Sequence, residues 1–300
     1  MVSASTNQSL TVVFYNTGPA GFITGYDKGP LTASISGTYA NGTIFNLNAS
    51  ATGGATITFD DDAISGTWVG AGVSFRGKDT TTDHAEYTLT FNSSFIGVFG
   101  NATFKAKAPA HLPCGGNTPG GDYTVLPHLF WSNTIPDAIA SVDLNLPDGK
   151  LQFQDGLGYH DKNWGNAPFV SAVSSWYWGH ARVGPYSVVW FDAWDPKVNE
   201  YASGYVVEDG KVLQSSCGEG SVQVRPWAGN RDRFAAKQGL DITFQAEKTT
   251  VKLNVSTDEV LIDIPVYVRA KGAVSGVVLS PDGNEAVYDG VAVFEQFNFR

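Results

Sequence analysis

Residues 156–196, GLGYHDKNWGNAPFVSAVSSWYWGHARVGPYSVVWFDAWDP, concentrate the side chains of this chain that can do chemistry. They hold five of its eight tryptophans and two of its five histidines, with Asp161, Lys162, Arg182, Asp192 and Asp195 among them. Hydrogen-bonding groups this close to aromatic walls suit a concave small-molecule site. Strand alternation puts Trp176, Trp178, His180 and Arg182 on one face of residues 174–183, and Tyr186, Val188, Trp190, Asp192 and Trp194 on one face of the next strand. In a barrel such a face is either the lumen or an outer wall packed on a neighbour. A buried imidazole or guanidinium demands partners. Asp161, Asp192 or Asp195 can supply them, and the alternative role of His180 or Arg182 is a satisfied ion pair stitching two domains together. Glycines 156, 158 and 165 permit tight turns, so residues 156–165 read as a loop displaying Tyr159, His160, Asp161, Asn163 and Trp164 to one ligand.

The elements that must position these groups read as strands throughout. Up to about residue 106 the segments 10–15, 33–45, 55–59, 63–75, 85–91 and 95–106 alternate in polarity and are separated by Gly, Asn and Asp clusters, a meander whose edges a closed or half-closed barrel would remove. Asp60, Asp61 and Asp62 read as a solvated hairpin turn, because no calcium-loop spacing follows. Residues 109–121, PAHLPCGGNTPGG, are too rich in Pro and Gly for regular structure and read as a compact loop. Strands follow at 124–131, 138–144, 150–154, 174–183, 186–193, 202–208, 211–216, 240–246, 250–255, 260–270, 274–279 and 286–294, with turn signals at 147–149, 209–210 and 282–283. The expectation is an all-β protein of two antiparallel barrel or sandwich domains, residues 1–168 and 169–300.

Composition sets the class and the partners. Thirty-four glycines, 13% aromatic and only 16% charged residues suit short strands joined by Gly-rich turns. A net charge of −10 without Lys/Arg clusters argues against nucleic acid, which needs concentrated positive charge. No apolar run reaches 18 residues, so no membrane-spanning helix is expected. Sequons at Asn7, Asn41, Asn48, Asn92, Asn101 and Asn254 point to passage through the secretory pathway. In that compartment Cys114 and Cys217, the only cysteines, read as one disulfide, the alternative being two buried thiols. MVSASTNQS lacks the apolar core of a signal peptide, and Met1 is the only methionine, so a start codon is expected where a leader has been removed.

The run GYHDKNWG, then SWYWGHARV, an aromatic strand and the closing YDGVAVFEQFNF resemble the two-domain lipocalin-like family of hydroxyneurosporene synthase-type carotenoid hydratases and fungal Diels–Alderases. The resemblance covers most of the chain. It implies two lipocalin-like β domains with a ligand pocket at or near their junction, and no metal or organic cofactor. Lys162 stands where hydratase-like relatives often carry His, which speaks against a histidine-based hydratase. The sequons and cysteine pair bring the chain nearest the fungal hetero-Diels–Alderases. That similarity implies cycloaddition of an ortho-quinone methide, often tropolone-derived, to a terpene alkene such as humulene.

The residues fit such a reaction. A cycloaddition needs two apolar partners held in one orientation, which removes entropy from the barrier, and a donor on the carbonyl where charge develops. Arg182, His180, Tyr159 and Lys162 are the candidate donors. His160, Asp161, Asn163, Trp164, Trp176, Trp178, Trp190 and Asp192 are the candidate binding residues. The competing readings are a hydratase or isomerase of a polyene, a secreted glycosidase or lectin using Trp platforms with Asp161 and Asp192 or Asp195, and a non-catalytic carrier. No G-x-S-x-G, P-loop, H-E-x-x-H or C-x-x-C occurs.

Overall fold

Val, Thr, Phe and Tyr recur at alternate positions between Gly and Asn turns, and the chain follows that period almost everywhere. The structure is a computed structural model that describes residues 1–17, 30–227, 238–246 and 248–299. All ladders between the strands are antiparallel, and one four-residue helix accompanies them among the described residues. The strands are β1 (Ser9–Asn16), β2 (Leu31–Thr38), β3 (Ile44–Ser50), β4 (Ala55–Asp60), β5 (Ala63–Trp68), β6 (Val73–Lys78), β7 (Glu86–Ser93), β8 (Val98–Ala106), β9 (His111–Leu112), β10 (Gly115–Gly116), β11 (Thr124–Leu126), β12 (Leu129–Leu146) and β13 (Gly149–Gly165). After the helix α1 (Phe169–Ala172) come β14 (Ser175–Val183), β15 (Tyr186–Trp194), β16 (Glu200–Glu208), β17 (Lys211–Cys217), β18 (Val222–Pro226), β19 (Gly239–Ala246), β20 (Thr249–Ile264), β21 (Tyr267–Leu279) and β22 (Glu285–Asn298).

Two compact units divide the chain, Met1–Lys107 with Ala138–Tyr159, and Ala108–Asp137 with His160–Arg300. The expected boundary at 168 falls near the last crossing, while residues 108–137, expected in the first domain, join the second unit. Their own chemistry accounts for this. Cys114 is disulfide-bonded to Cys217, Ser203 Oγ donates to Pro113 O at 2.6 Å, and Tyr205 OH donates to Pro109 O at 2.6 Å.

In the first unit β1, β2 and β3 form one sheet, and the meander β4 to β8 continues onto the Ala138–Leu146 half of β12. Its core is aromatic: Phe14 lies 4.7 Å from Trp68 and 5.3 Å from Phe75, and Tyr87 stacks on Phe104 at 5.7 Å. Asp61 takes a positive φ of 46° in the hairpin turn between β4 and β5, as the solvated-turn reading requires.

The second unit is built on a nine-stranded sheet, in the order β17-β16-β15-β14-β22-β21-β20-β19-β18. Its ends, β17 and β18, are consecutive in sequence, and Gln214 Nε2 donates to Ser221 O at 2.6 Å without a ladder forming between them. Inside lies one core that includes Tyr177, Val188, Trp190, Ile242, Phe244 and Phe294.

Three local expectations are corrected. Residues 156–165 are not a loop but the end of β13, because ladder pairing with β12 overrides the permissive glycines. The expected strand 124–131 breaks at Pro127 and at His128, where φ is 70°. Residues 109–121 contain the short pair β9 and β10, and β18 was not foreseen.

Candidate functional site

Gly179 decides which way the aromatic strand β14 faces. A Cβ there would meet Trp190 Cζ2 at 2.3 Å and Phe294 Cβ at 2.7 Å, so Trp190 fills the space over a glycine on the core side. Tyr177, Ala181 and Val183 share that side in the core. Alternation then turns Trp176, Trp178, His180 and Arg182 to the outer face. On β15 the same pairing register puts Trp190 and Asp192 inside, with Ser187, Val189, Phe191 and Ala193 outside. The sheet thus separates two groups of residues that the sequence reading placed in one ligand set.

The ladders align the outer face in rows. Trp176 sits beside Phe297 and then Tyr267; Trp178 lies between Phe191 and Glu295, with Arg269 next; His180 is followed by Val293, Lys271 and Glu259. Trp176 is packed edge-on against Phe169 (5.1 Å), Phe191 (5.2 Å) and Phe297 (4.7 Å), and Tyr267 stacks on Phe297 at 4.3 Å. The Trp176 Nε1 proton is buried with no acceptor among the described residues. Such a donor is costly unless something accepts from it.

Charged groups border this aromatic floor. Arg182 Nε donates to Asp137 Oδ2 at 2.9 Å, a second bond runs from its Nη2 to Asp137 Oδ1, and Ser187 Oγ donates to Asp137 Oδ2 at 2.6 Å. That fork makes Arg182 one half of an ion pair within the second unit, with Asp137 almost wholly buried. Arg269 Nε and Nη2 both lie 2.7 Å from Glu295 Oε1, and its guanidinium stands 5.5 Å from the Tyr267 ring. Lys271 is 9% exposed, and burial lowers its pKa against the opposing charges of Glu259 and Asp258.

Burial disfavours the charged form of three histidines, His111, His160 and His180. Burial, reinforced by the Arg182 charge, holds His180 well below its ordinary 6.5. The His160 ring is enclosed, although the residue as a whole is partly exposed, and burial pushes it down to about 4. His111, absent from the sequence candidates, is also near 4 through burial; its Nε2 lies 2.8 Å from Asn133 Oδ1 and its ring stacks on Tyr205 at 4.1 Å. Asn133 Nδ2 in turn donates to His160 O at 3.0 Å. Asp161 accepts from Trp131 Nε1 at 2.9 Å, and Trp131 packs 5.3 Å from Phe191. Through these contacts His160 and Asp161 are tied to the outer face.

Other candidates lie elsewhere. Lys162 and Asn163 are exposed, with Lys162 Nζ 5.4 Å from the Trp164 ring and Trp164 against Tyr123 and Phe130. Tyr159 is the last residue of the first unit. Asp192, on the core side of β15, has its pKa raised to about 7 by burial and by Glu200, against Arg225 and hydrogen bonds from Val224 and Trp194. Asn7, Asn41, Asn92, Asn101 and Asn254 are exposed and Asn48 is half-buried. The sequence reading missed Glu295, Arg269 and Lys271; the signal was there in YVRAKGAV, where Tyr267, Arg269 and Lys271 alternate with core residues. No three His, Cys, Asp or Glu side chains converge as a metal site among the described residues.

Antiparallel lipocalin-like sheets bearing a buried aromatic and cationic face define an all-β protein suited to holding an apolar small molecule beside hydrogen-bond donors. The chain belongs to the Diels-Alderase-like family, whose model matches residues 1–258. It is 39% identical over 301 residues to the quinolone epoxide rearrangement protein penF of Penicillium thymicola, covering 98% of this chain and 82% of that one. It is 38% identical over 303 residues to the quinolone epoxide rearrangement protein asqO of Emericella nidulans, covering 99% and 80%. The crystal structure of CghA with Sch210972 shares the fold, with a TM-score of 0.75 at 14% identity over 99% of this chain and 86% of that one. The homologues are rearrangement and cycloaddition enzymes of secondary metabolism, and this chain is an enzyme of that kind.

Proposed function

We propose that this protein isomerises a preformed, largely aromatic epoxide, of the quinolone class, by assisted ring opening on the outer face of the β14–β22 sheet. The observation that carries this reading is the near full-length identity of 39% and 38% to two quinolone epoxide rearrangement proteins. The residues of the face suit the chemistry. Opening an epoxide places negative charge on oxygen and positive charge on carbon. Buried cations and donors stabilise the first, and the faces of Trp176 and Trp178 the second. Excluding water keeps the carbocation from being trapped as a diol. The reaction is an isomerisation and needs no cofactor or co-reactant.

A second reading is the [4+2] cycloaddition of an ortho-quinone methide with a terpene alkene such as humulene, giving a meroterpenoid. The aromatic cluster of Trp176, Phe191 and Phe297 favours it, as a surface that can hold two apolar partners in one orientation. The Cys114–Cys217 disulfide and the exposed sequons support a secretory or extracellular location for either reaction. Incubation of the purified protein with a quinolone bearing an epoxide, followed by mass spectrometry and NMR of the product, tests the choice. A product of unchanged mass and rearranged skeleton, formed faster than in buffer, is expected. Formation of diol alone, or of isomer only at the background rate, sinks the epoxide reading; cycloadduct from a quinone methide and humulene would then establish the second.

A further inference from the structure

We propose that β4 is the seam of a homodimer: two copies of this chain pair their β4 strands antiparallel about a two-fold axis at Thr58, setting each Phe59 against the partner's Ile57. The strand belongs to the first unit, and the inference does not depend on the reaction. β4 ends its sheet, paired with β5 on one side and with no strand on the other among the described residues. All six of its residues are exposed, Phe59 at 75% and Ile57 at 43%. Alternation puts these two on one face, and it is the face of the aromatic core: a Cβ at Gly66 would meet Phe75 Cε1 at 2.3 Å and Ile57 Cδ1 at 2.9 Å. An unpaired strand showing apolar side chains is a template for another chain, and proteins blunt such edges with lysine, proline or bulges. The other unit does so, with Lys211 opening β17 and Arg225 and Pro226 closing β18. β4 has no Lys and no Pro, and its register with β5 is unbroken.

Hydrogen-bond phase and charge select a second copy as the occupant. Asp61 and Asp62 are the two residues of the β4–β5 hairpin, so the closing pair Asp60–Ala63 exchanges backbone hydrogen bonds, and Thr58–Ser65 and Thr56–Thr67 follow in the same phase. The N–H and C=O groups of Ala55, Ile57 and Phe59 therefore point to the free edge. Two-fold pairing about Thr58 sets Ile57 opposite the partner's Phe59, so outward groups meet outward groups and four backbone bonds form. Both apolar pairs fall on the face of Phe75 and extend its core across the seam. Thr58 meets its own copy on the other face, at a non-hydrogen-bonded position where the two Cα atoms stand about 4.5 Å apart. A slip of one residue would set Ile57 against the partner's Thr58, whose backbone groups already bond to β5, and the bonds would be lost.

The charges agree with the same register. Asp60, Asp61 and Asp62 fall opposite the partner's Thr56, Ala55 and Gly54, so no carboxylate of the turn faces another, although each chain carries a net charge of −10. Spacing, backbone phase and charge are thus self-complementary about one residue. The seam is short, so the dimer forms as concentration rises rather than permanently.

Sedimentation velocity of the full chain at rising concentrations should show monomer passing to dimer. Phe59→Lys puts two charges into the seam and should raise the dissociation constant by about 100-fold. Ile57→Pro removes an outward N–H only, leaving the bonds of β4 to β5, and should act in the same direction. Val287→Lys, a charge placed on an exposed valine of β22, should leave the constant unchanged. Melting temperatures check that each variant folds, and if Ile57→Pro does not, Phe59→Lys at its exposed position carries the test. The two native cysteines are already joined, so a new one reports the axis directly. After oxidation with copper phenanthroline, Thr58→Cys should run as a dimer on a non-reducing gel, and Thr56→Cys, opposite the partner's Asp60, should not. A chain that stays monomeric at every concentration overturns the inference, as does a dimer that Phe59→Lys and Val287→Lys weaken equally. Cross-linking through Thr56→Cys but not through Thr58→Cys overturns the register and the two-fold axis with it.

Discussion

Asp192 is a carboxyl buried on the core side of β15. Burial raises it from 3.8 to about 7, so between those values the folded protein holds a proton that the unfolded chain has released. The stabilisation tied to that proton is complete below about pH 4 and is lost as the pH rises toward 7, a change of roughly 4 kcal/mol at 1.36 kcal/mol per pKa unit. Asp192→Asn removes the dependence, and its melting temperature should gain on wild type between pH 5 and pH 8. An offset that is the same at both values would show that burial on the core side does not hold the carboxyl neutral. Arg182 answers a different question. Its replacement by Met strands Asp137, which is buried and also held by Ser187, so a loss of about 3–5 kcal/mol is expected. Arg182→Met with Asp137→Leu should recover most of it, as seen by denaturant unfolding. Recovery of stability without activity would mark the pair as part of the chemistry; recovery of both would make it structural. Both residues are prominent in the sequence, yet residue type cannot tell a core-side carboxyl from an outer-face guanidinium. That distinction depends on which side of one strand each occupies.

For β14 that side is set by packing. Its core side carries Tyr177, Gly179, Ala181 and Val183, and Gly179 is the position where Trp190 crosses onto it from β15. Gly179→Ala puts a methyl group where an indole already sits, and overpacking of this kind costs about 1–3 kcal/mol. A lowered unfolding midpoint with altered tryptophan emission is expected; an unchanged midpoint would mean that the core has slack that the close contacts deny. Periodicity made β14 and β15 legible as strands, because alternation is a property of neighbouring residues alone. The end of β13 was not legible, since its three glycines satisfy a loop equally well, and the pairing that makes it a strand comes from β12, about thirty residues earlier. Arg269 and Lys271 were missed as well, because the expected segments 260–270 and 274–279 cut across β20 and β21, and the face they share with Trp178 and His180 is set by ladder register.

The disulfide acts across a longer span, closing 103 residues of chain, and both cysteines belong to the second unit. Replacing both with Ser should cost about 2–5 kcal/mol. The loss should appear first as faster hydrogen exchange in residues 108–137, while the meander β4 to β8 keeps its protection. Uniform loss across both units would contradict that localisation. Composition and alternation alone made this protein all-β and antiparallel, because Thr, Val and aromatic residues spaced by two and punctuated by Gly leave few other ways to bury a core. The cysteine count left one possible pairing, and the structure decided for the disulfide over two buried thiols. The sequence also carried the aromatic and polar density of residues 156–196. Only the tertiary structure decided that Trp190 and Asp192 lie on the core side of the sheet while Trp176, Trp178, His180 and Arg182 lie on the other. Only it brought Asp137, Glu295, Arg269 and Lys271 beside them, from segments more than forty residues away. Ladder register between distant strands sets those neighbours, and register is fixed by the joint packing of many side chains rather than by any local run of sequence.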